Sequence, residues 1–208
     1  MGATLTGEIM YPLRTALSII IALTLALSNV SISVAERAQP SLTRPISIDL
    51  KGERFENFLR IIAETSNMNV IRMEEISFPL TVRLIDTPIE KALDAVLSQY
   101  ELVKRVDGNV IQVYRKSNPA LKRPQTTRAY EGRLISLDLQ DTHLDNAVRI
   151  VEEVAGKAVL GKELLPTRAT VTVRLIDVPW DQVLAILLEQ NDLQATIDTH
   201  TIQIKTAM

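Results

Sequence analysis

The sequence predicts an α+β fold built from two tandem small domains, and three observations carry that prediction. The hexapeptide Thr81-Val82-Arg83-Leu84-Ile85-Asp86 recurs unchanged as Thr172-Val173-Arg174-Leu175-Ile176-Asp177, and a proline follows each copy two residues on, Pro88 and Pro179. Upstream of each copy stands a segment that alternates apolar and polar residues, Ile46-Ser47-Ile48-Asp49-Leu50 and Ile135-Ser136-Leu137-Asp138-Leu139, which is the period of a half-buried strand. Stripes of apolar residues at helical spacing follow both kinds of strand. A repeat at this spacing means that one supersecondary unit has been used twice.

Taken in order, the first copy covers residues 46–115 after a proline-containing lead-in over 36–45. Ile46 to Leu50 is a strand, Lys51-Gly52-Glu53-Arg54 a turn, and Phe55, Phe58, Leu59 and Ile62 mark the buried face of a helix. Asn67 supplies a left-handed stop, a conformation that Asn and Gly tolerate. Met68 to Arg72 and Leu80 to Ile85 are strands, with Arg83 facing away from Val82 and Leu84. Thr87-Pro88-Ile89-Glu90 fits a capping box, with proline acceptable in a first turn because its missing N–H would be unpaired there. Ile89, Ala92, Leu93, Val96 and Leu97 form the stripe of the helix that follows. Leu102 to Val106 and Val110 to Tyr114 then read as a hairpin around Asp107-Gly108.

Residues 116–132 hold Pro119, Pro124 and the bases Lys116, Lys122, Arg123 and Arg128, and read as a solvated linker. The second copy, over 133–206, repeats every element. Leu144, Ala147, Val148 and Val151 form the first helix stripe, and Gly156 stands where Asn67 stood. Trp180, Val183, Leu184, Leu187 and Leu188 form the second stripe, and the closing hairpin turns at Thr199-His200.

The N-terminus carries its own signal. Arg14 precedes the apolar run Ala16 to Leu27, and Ser33-Val34-Ala35 offers small residues ahead of Glu36, the layout of a secretory signal peptide over 1–35. Met10 is an alternative start. An uncleaved anchor competes with this reading, but the run is short against the ~20 residues a spanning helix needs. The export signal places the mature protein outside the cytoplasm as an expectation.

Composition bounds the chemistry. The 208-residue chain is 46% hydrophobic and only 4% aromatic, so its core is aliphatic, and its net charge of −2 gives no footprint for nucleic acid. It also lacks a Gly-x-x-Gly clamp and the strand aromatics that stack on bases. With no cysteine, disulfides, thiolate metal sites and a cysteine nucleophile are excluded. His143 and His200 have no partner at metal-ligand spacing. No strained nucleophile elbow or glycine-rich phosphate loop occurs. No catalytic, cofactor-binding or metal-binding residue is therefore expected, and no enzyme. The repeated Asp86 and Asp177 read as caps of the helices after them, and Glu152-Glu153 as a solvated face. Arg83, Arg174 and the single tryptophan, Trp180, remain as candidate partner-binding residues, with Trp180 on the apolar stripe of its helix.

These residues carry a resemblance. Ile135 to Asp141, a helix with Arg149 and Ile150, Thr172 to Leu175 and Val178-Pro179-Trp180-Asp181-Gln182 resemble the STN domain, the short N-terminal domain of secretins and TonB-dependent receptors. The version in type IV pilus secretins is nearest. In the first copy Thr87-Pro88-Ile89-Glu90-Lys91 replaces the Val-Pro-Trp-Asp-Gln junction. The resemblance implies a non-enzymatic interaction module located in the periplasm, in association with an outer-membrane complex, whose partners are secretin, secretion or pilus proteins of the envelope, with no small-molecule substrate. A signalling module acting on a TonB-receptor-linked transmembrane regulator is the alternative it implies. Nothing after Met208 could form a membrane barrel, so the expectation is an adaptor or accessory piece, or a truncated relative, and not a pore by itself.

Overall fold

The computed structural model describes residues 39–122 and 129–207; residues 1–35, read above as a signal peptide, lie outside them. Each copy runs strand–helix–strand–strand–helix–strand–strand, as the periodicity predicts. In the first copy these are β1 (Pro45–Arg54), α1 (Phe55–Ser66), β2 (Asn69–Arg72), β3 (Pro79–Pro88), α2 (Ile89–Gln99), β4 (Leu102–Asp107) and β5 (Val110–Arg115). In the second they are β6 (Leu134–His143), α3 (Leu144–Ala155), β7 (Ala158–Leu160), β8 (Thr170–Pro179), α4 (Trp180–Glu189), β9 (Leu193–Ile197) and β10 (Thr201–Thr206).

The strands divide the same way in both copies. The first and third pair antiparallel as a two-stranded ribbon, β1–β3 and β6–β8. The other three form a sheet in the order β2-β5-β4 or β7-β10-β9, with the short edge strand parallel to the central one. The helices cover one face of each sheet. All residues of the predicted stripes on α1, α2 and α3 are buried, and Asn67 and Gly156 end α1 and α3 at φ 56° and 62°.

Helix starts differ from expectation. Among the described residues none of the four helices has a side-chain N-cap. Each helix begins directly after a strand, and its first N–H donates to a carbonyl of a neighbouring segment. Phe55 donates to Phe78 at 3.0 Å and Leu144 to Ala169 at 2.9 Å, while Ile89 donates to Arg44 at 3.0 Å and Trp180 to Arg133 at 3.1 Å. The capping box at Thr87 is thus absent, because carbonyls of the residues that immediately precede neighbouring strands already accept the first N–H of each helix. The Thr87 hydroxyl instead donates to the Ile85 carbonyl at 3.0 Å.

The two copies are not independent beads. Residues from 39 onward form one compact unit, and Ile71, Met73, Val110, Tyr114 and Ala120 join the buried cluster of the second copy. Ala120 sits on a 3-10 turn, Pro119–Lys122, so the start of the predicted solvated linker is packed. In β5, Val110 to Tyr114 are buried without alternation, whereas β10 alternates. The first copy's sheet therefore has its own helices on one face and the second copy on the other.

Candidate functional site

The repeated hexapeptide builds a ribbon with two bulges, and its end residues make them. In β1–β3, Ser47 opposes both Ile85 and Asp86, and Thr81 opposes both Lys51 and Gly52. In β6–β8, Ser136 opposes Ile176 and Asp177, and Thr172 opposes Gln140 and Asp141. One residue of each bulge is left-handed: Asp86 (φ 47°), Gly52 (65°), Asp177 (52°) and Asp141 (45°). Its N–H donates to the hydroxyl across the ribbon, Asp86 to Ser47 and Asp177 to Ser136 at 3.0 Å, Gly52 to Thr81 at 3.0 Å and Asp141 to Thr172 at 3.1 Å. The repeated aspartates are therefore bulge residues and not helix caps. Their short side chains are among those that tolerate positive φ.

The predicted site residues fall on different faces. Arg83 stands directly opposite Asp49, and Arg174 opposite Asp138, on the exposed side of each ribbon. Opposite charges at that position stabilise a strand pair by about 0.2–1 kcal/mol. Trp180 is 8% exposed and lies in the core. Gly132 packs against it, because a Cβ there would come within 2.8 Å of the indole ring and 2.6 Å of Asp181 Oδ1. The ribbons and the tryptophan do not converge on one site.

What sequence reasoning missed is the joint between the copies. Asn69, buried at the start of β2, donates from Nδ2 to the Ile176 carbonyl at 3.0 Å and accepts the Ile176 N–H on Oδ1 at 2.7 Å. Asn109 donates to the Asp177 carbonyl at 3.1 Å, and Gln182 Nε2 to the Asp107 carbonyl at 2.9 Å. The hairpin tip is accordingly Gly108-Asn109, one residue later than Asp107-Gly108, and only Gly108 has positive φ. That shift is what brings Asn109 to the bulge.

Beside it lies a charged cluster. Arg105 Nη1 is 2.9 Å from Glu189 Oε1, Nη2 donates to the Ala120 carbonyl at 3.2 Å, and the guanidinium stands 5.1 Å over the Tyr114 ring. The Tyr114 hydroxyl lies 2.9 Å from Gln112 Oε1 and 3.2 Å from Glu189 Oε1. Burial, then the Glu189 charge, pushes the Tyr114 phenol up, so it remains a neutral donor. Burial and the bond to Asp107 do the same for Tyr130. These groups join α4 of one copy to the sheet of the other.

Elsewhere the chemistry is structural. Among the described residues no cluster of three or more His, Asp or Glu could hold a metal. His143 is the residue before α3, and His200 lies in the β9–β10 loop. Glu152 is not a solvated acid: it accepts the Val159 N–H at 2.9 Å and a hydrogen bond from the Lys162 ammonium, and so ties α3 to β7 and to the turn after it. No described helix is long and apolar enough to cross a membrane.

Fold and joint together define a tandem α+β module whose repeated polar residues shape its own ribbons. Within it, 70 residues are 33% identical to the type IV pilus biogenesis and competence protein PilQ of Neisseria gonorrhoeae, covering 34% of this chain and 10% of that one. The PilQ proteins of Neisseria meningitidis serogroups A and B are 31% identical over 70 residues, 9% of their length. The match thus spans about a tenth of these curated relatives. No protein-family model matches the chain.

Proposed function

We propose that the protein is a non-enzymatic interaction module of a secretin-type secretion or type IV pilus system, working in the periplasm beside an outer-membrane complex. The similarity to the pilus biogenesis protein PilQ carries this reading. It agrees with the resemblance of residues 135–182 to the N-terminal domain of pilus secretins. The engagement of the repeated polar residues in ribbon bulges and cross-strand pairs supports binding over chemistry. The partners are envelope secretion or pilus proteins, met through ribbon edges and the outer sheet face, with no nucleic acid and no small-molecule substrate. An exposed sheet edge can recognise a partner by adding its strand.

The test is affinity capture of the tagged full chain from solubilised envelopes. Enrichment of secretin or pilus-biogenesis proteins is expected. Capture that recovers none of them, from cells in which that machinery is assembled, rejects the reading.

A further inference from the structure

The same bulge occurs twice, and only one is occupied by the other copy. Ile176–Asp177 receives Asn69 and Asn109, and Ile176 is 44% exposed. Ile85–Asp86 has the same sequence, the same register and the same serine clamp, yet Ile85 is 67% exposed and no side chain from another element of the described residues meets its N–H. Among the described residues its carbonyl accepts only the Thr87 hydroxyl from side-chain donors, where the second copy has Val178. One carbonyl lone pair is left for a second donor.

We propose that the Ile85–Asp86 bulge is a docking point for the sheet edge of a similar domain on another protein, held by side-chain carboxamides as Asn69 and Asn109 hold Ile176–Asp177. The occupied bulge is the template: a carboxamide satisfies both the N–H and the carbonyl of one bulge residue, a pairing that a strand cannot make there because the ladder is interrupted.

A second copy of this chain is the wrong occupant. The edge that would do the docking is β7, whose first residue takes the place of Asn69. Asn69 N–H donates to the Asn109 carbonyl at 2.8 Å, and Ala158 N–H donates to the His200 carbonyl at 3.2 Å. The residues equivalent to Asn69 and Asn109 are therefore Ala158 and His200, and neither has a carboxamide. The flank of the open bulge is also more polar. Where α4 presents buried Asp181 and Gln182, α2 presents exposed Glu90 and Lys91. The partner's sheet face must be polar as well, and the complex reversible, unlike the apolar joint inside the chain.

The equivalence supplies its own probe. The full chain carrying Ala158→Asn and His200→Asn presents the missing carboxamides, and it is titrated onto immobilised parent chain beside a parent-on-parent control. The template's three hydrogen bonds, two from the Asn69 position and one from the Asn109 position, predict binding at about tenfold lower concentration or better. Ile85→Arg in the immobilised chain abolishes the gain, and Thr87→Val, which removes the competing hydroxyl, strengthens it. A grafted chain that keeps the parent's circular dichroism but binds no better than the parent overturns the proposal, as does binding that survives Ile85→Arg. The partner's place in the cell rests on the interaction-module reading. The assay contains no pilus component, so its failure leaves that reading standing.

Discussion

Asn69 and Ile176 are 107 residues apart, yet the Asn69 carboxamide pairs with both backbone polar groups of Ile176, at 2.7 and 3.0 Å. A side chain of the first copy thereby completes the interrupted strand edge of the second. Removing it leaves a partly buried N–H and carbonyl unpaired, which costs more than the bonds themselves contribute. Asn69→Ala is expected to lower stability by about 1–3 kcal/mol in urea unfolding of the full chain. Asn69→Asp should be no milder, because a carboxylate then faces the Ile176 carbonyl. An Asn69→Ala chain with the parent's midpoint would show that the apolar contacts alone hold the copies together.

Asp86 separates two roles that one substitution pair can distinguish. As a helix cap it would be replaced well by threonine. As a left-handed bulge residue with φ 47° it would not, because a β-branched side chain is strained at positive φ. Asp86→Thr is expected to cost about 1–2 kcal/mol and Asp86→Gly close to nothing. A tolerated threonine in thermal unfolding would return Asp86 to the capping role.

How much of this was legible beforehand follows from which contacts are local. The order of elements, the stripes and the left-handed stops depend on periodicity and on single residues such as Asn67, so they could be read from the chain. The helix starts could not, because backbone carbonyls just ahead of strands, such as those of Arg44 and Phe78, do the capping and no side chain marks them. The joint left two traces that comparison of the copies reveals. Val110-Ile111-Gln112-Val113-Tyr114 lacks the alternation of Thr201-Ile202-Gln203-Ile204-Lys205, and α4 adds Ile186 outside its stripe where α2 has Ala95. Both deviations mark faces buried by the other copy. Asn69 gave no such trace, since a carboxamide after a helix stop has an ordinary local use.

Gly132 is conformationally ordinary but sterically confined, and the single tryptophan reports on it. Asp181 accepts the Glu131 N–H at 3.0 Å and the Gly132 N–H at 3.3 Å, which holds this segment flat against Trp180. A methyl group at 132 must displace either the carboxylate or the ring. Gly132→Ala is expected to cost about 1–3 kcal/mol, the range for overpacking a tight site. It should also shift native tryptophan emission to the red as the indole gains solvent. A destabilised variant with unchanged emission would mean that the Asp181 carboxylate moves and Trp180 does not.

Glu152 gives the fold a defined acid sensitivity. The Lys162 ammonium, then the Val159 N–H, hold its carboxyl below the ordinary glutamate value, with slight burial opposing them. A group whose pKa is depressed by folding stabilises the native state above its unfolded pKa and loses that contribution as pH falls through the folded value. The relevant window therefore lies below about pH 4.3, where free glutamate titrates. Lys162 and Glu152 are 36% and 26% exposed, so solvent screening limits the contribution to about 1 kcal/mol or less. Parent and Glu152→Gln are to be compared by urea unfolding at neutral pH and near pH 3. The parent should be the more stable at neutral pH, and the gap should close in acid, because the protonated parent then resembles the amide. A gap of equal size at both pH values would place the contribution of Glu152 in packing, with its charge making none.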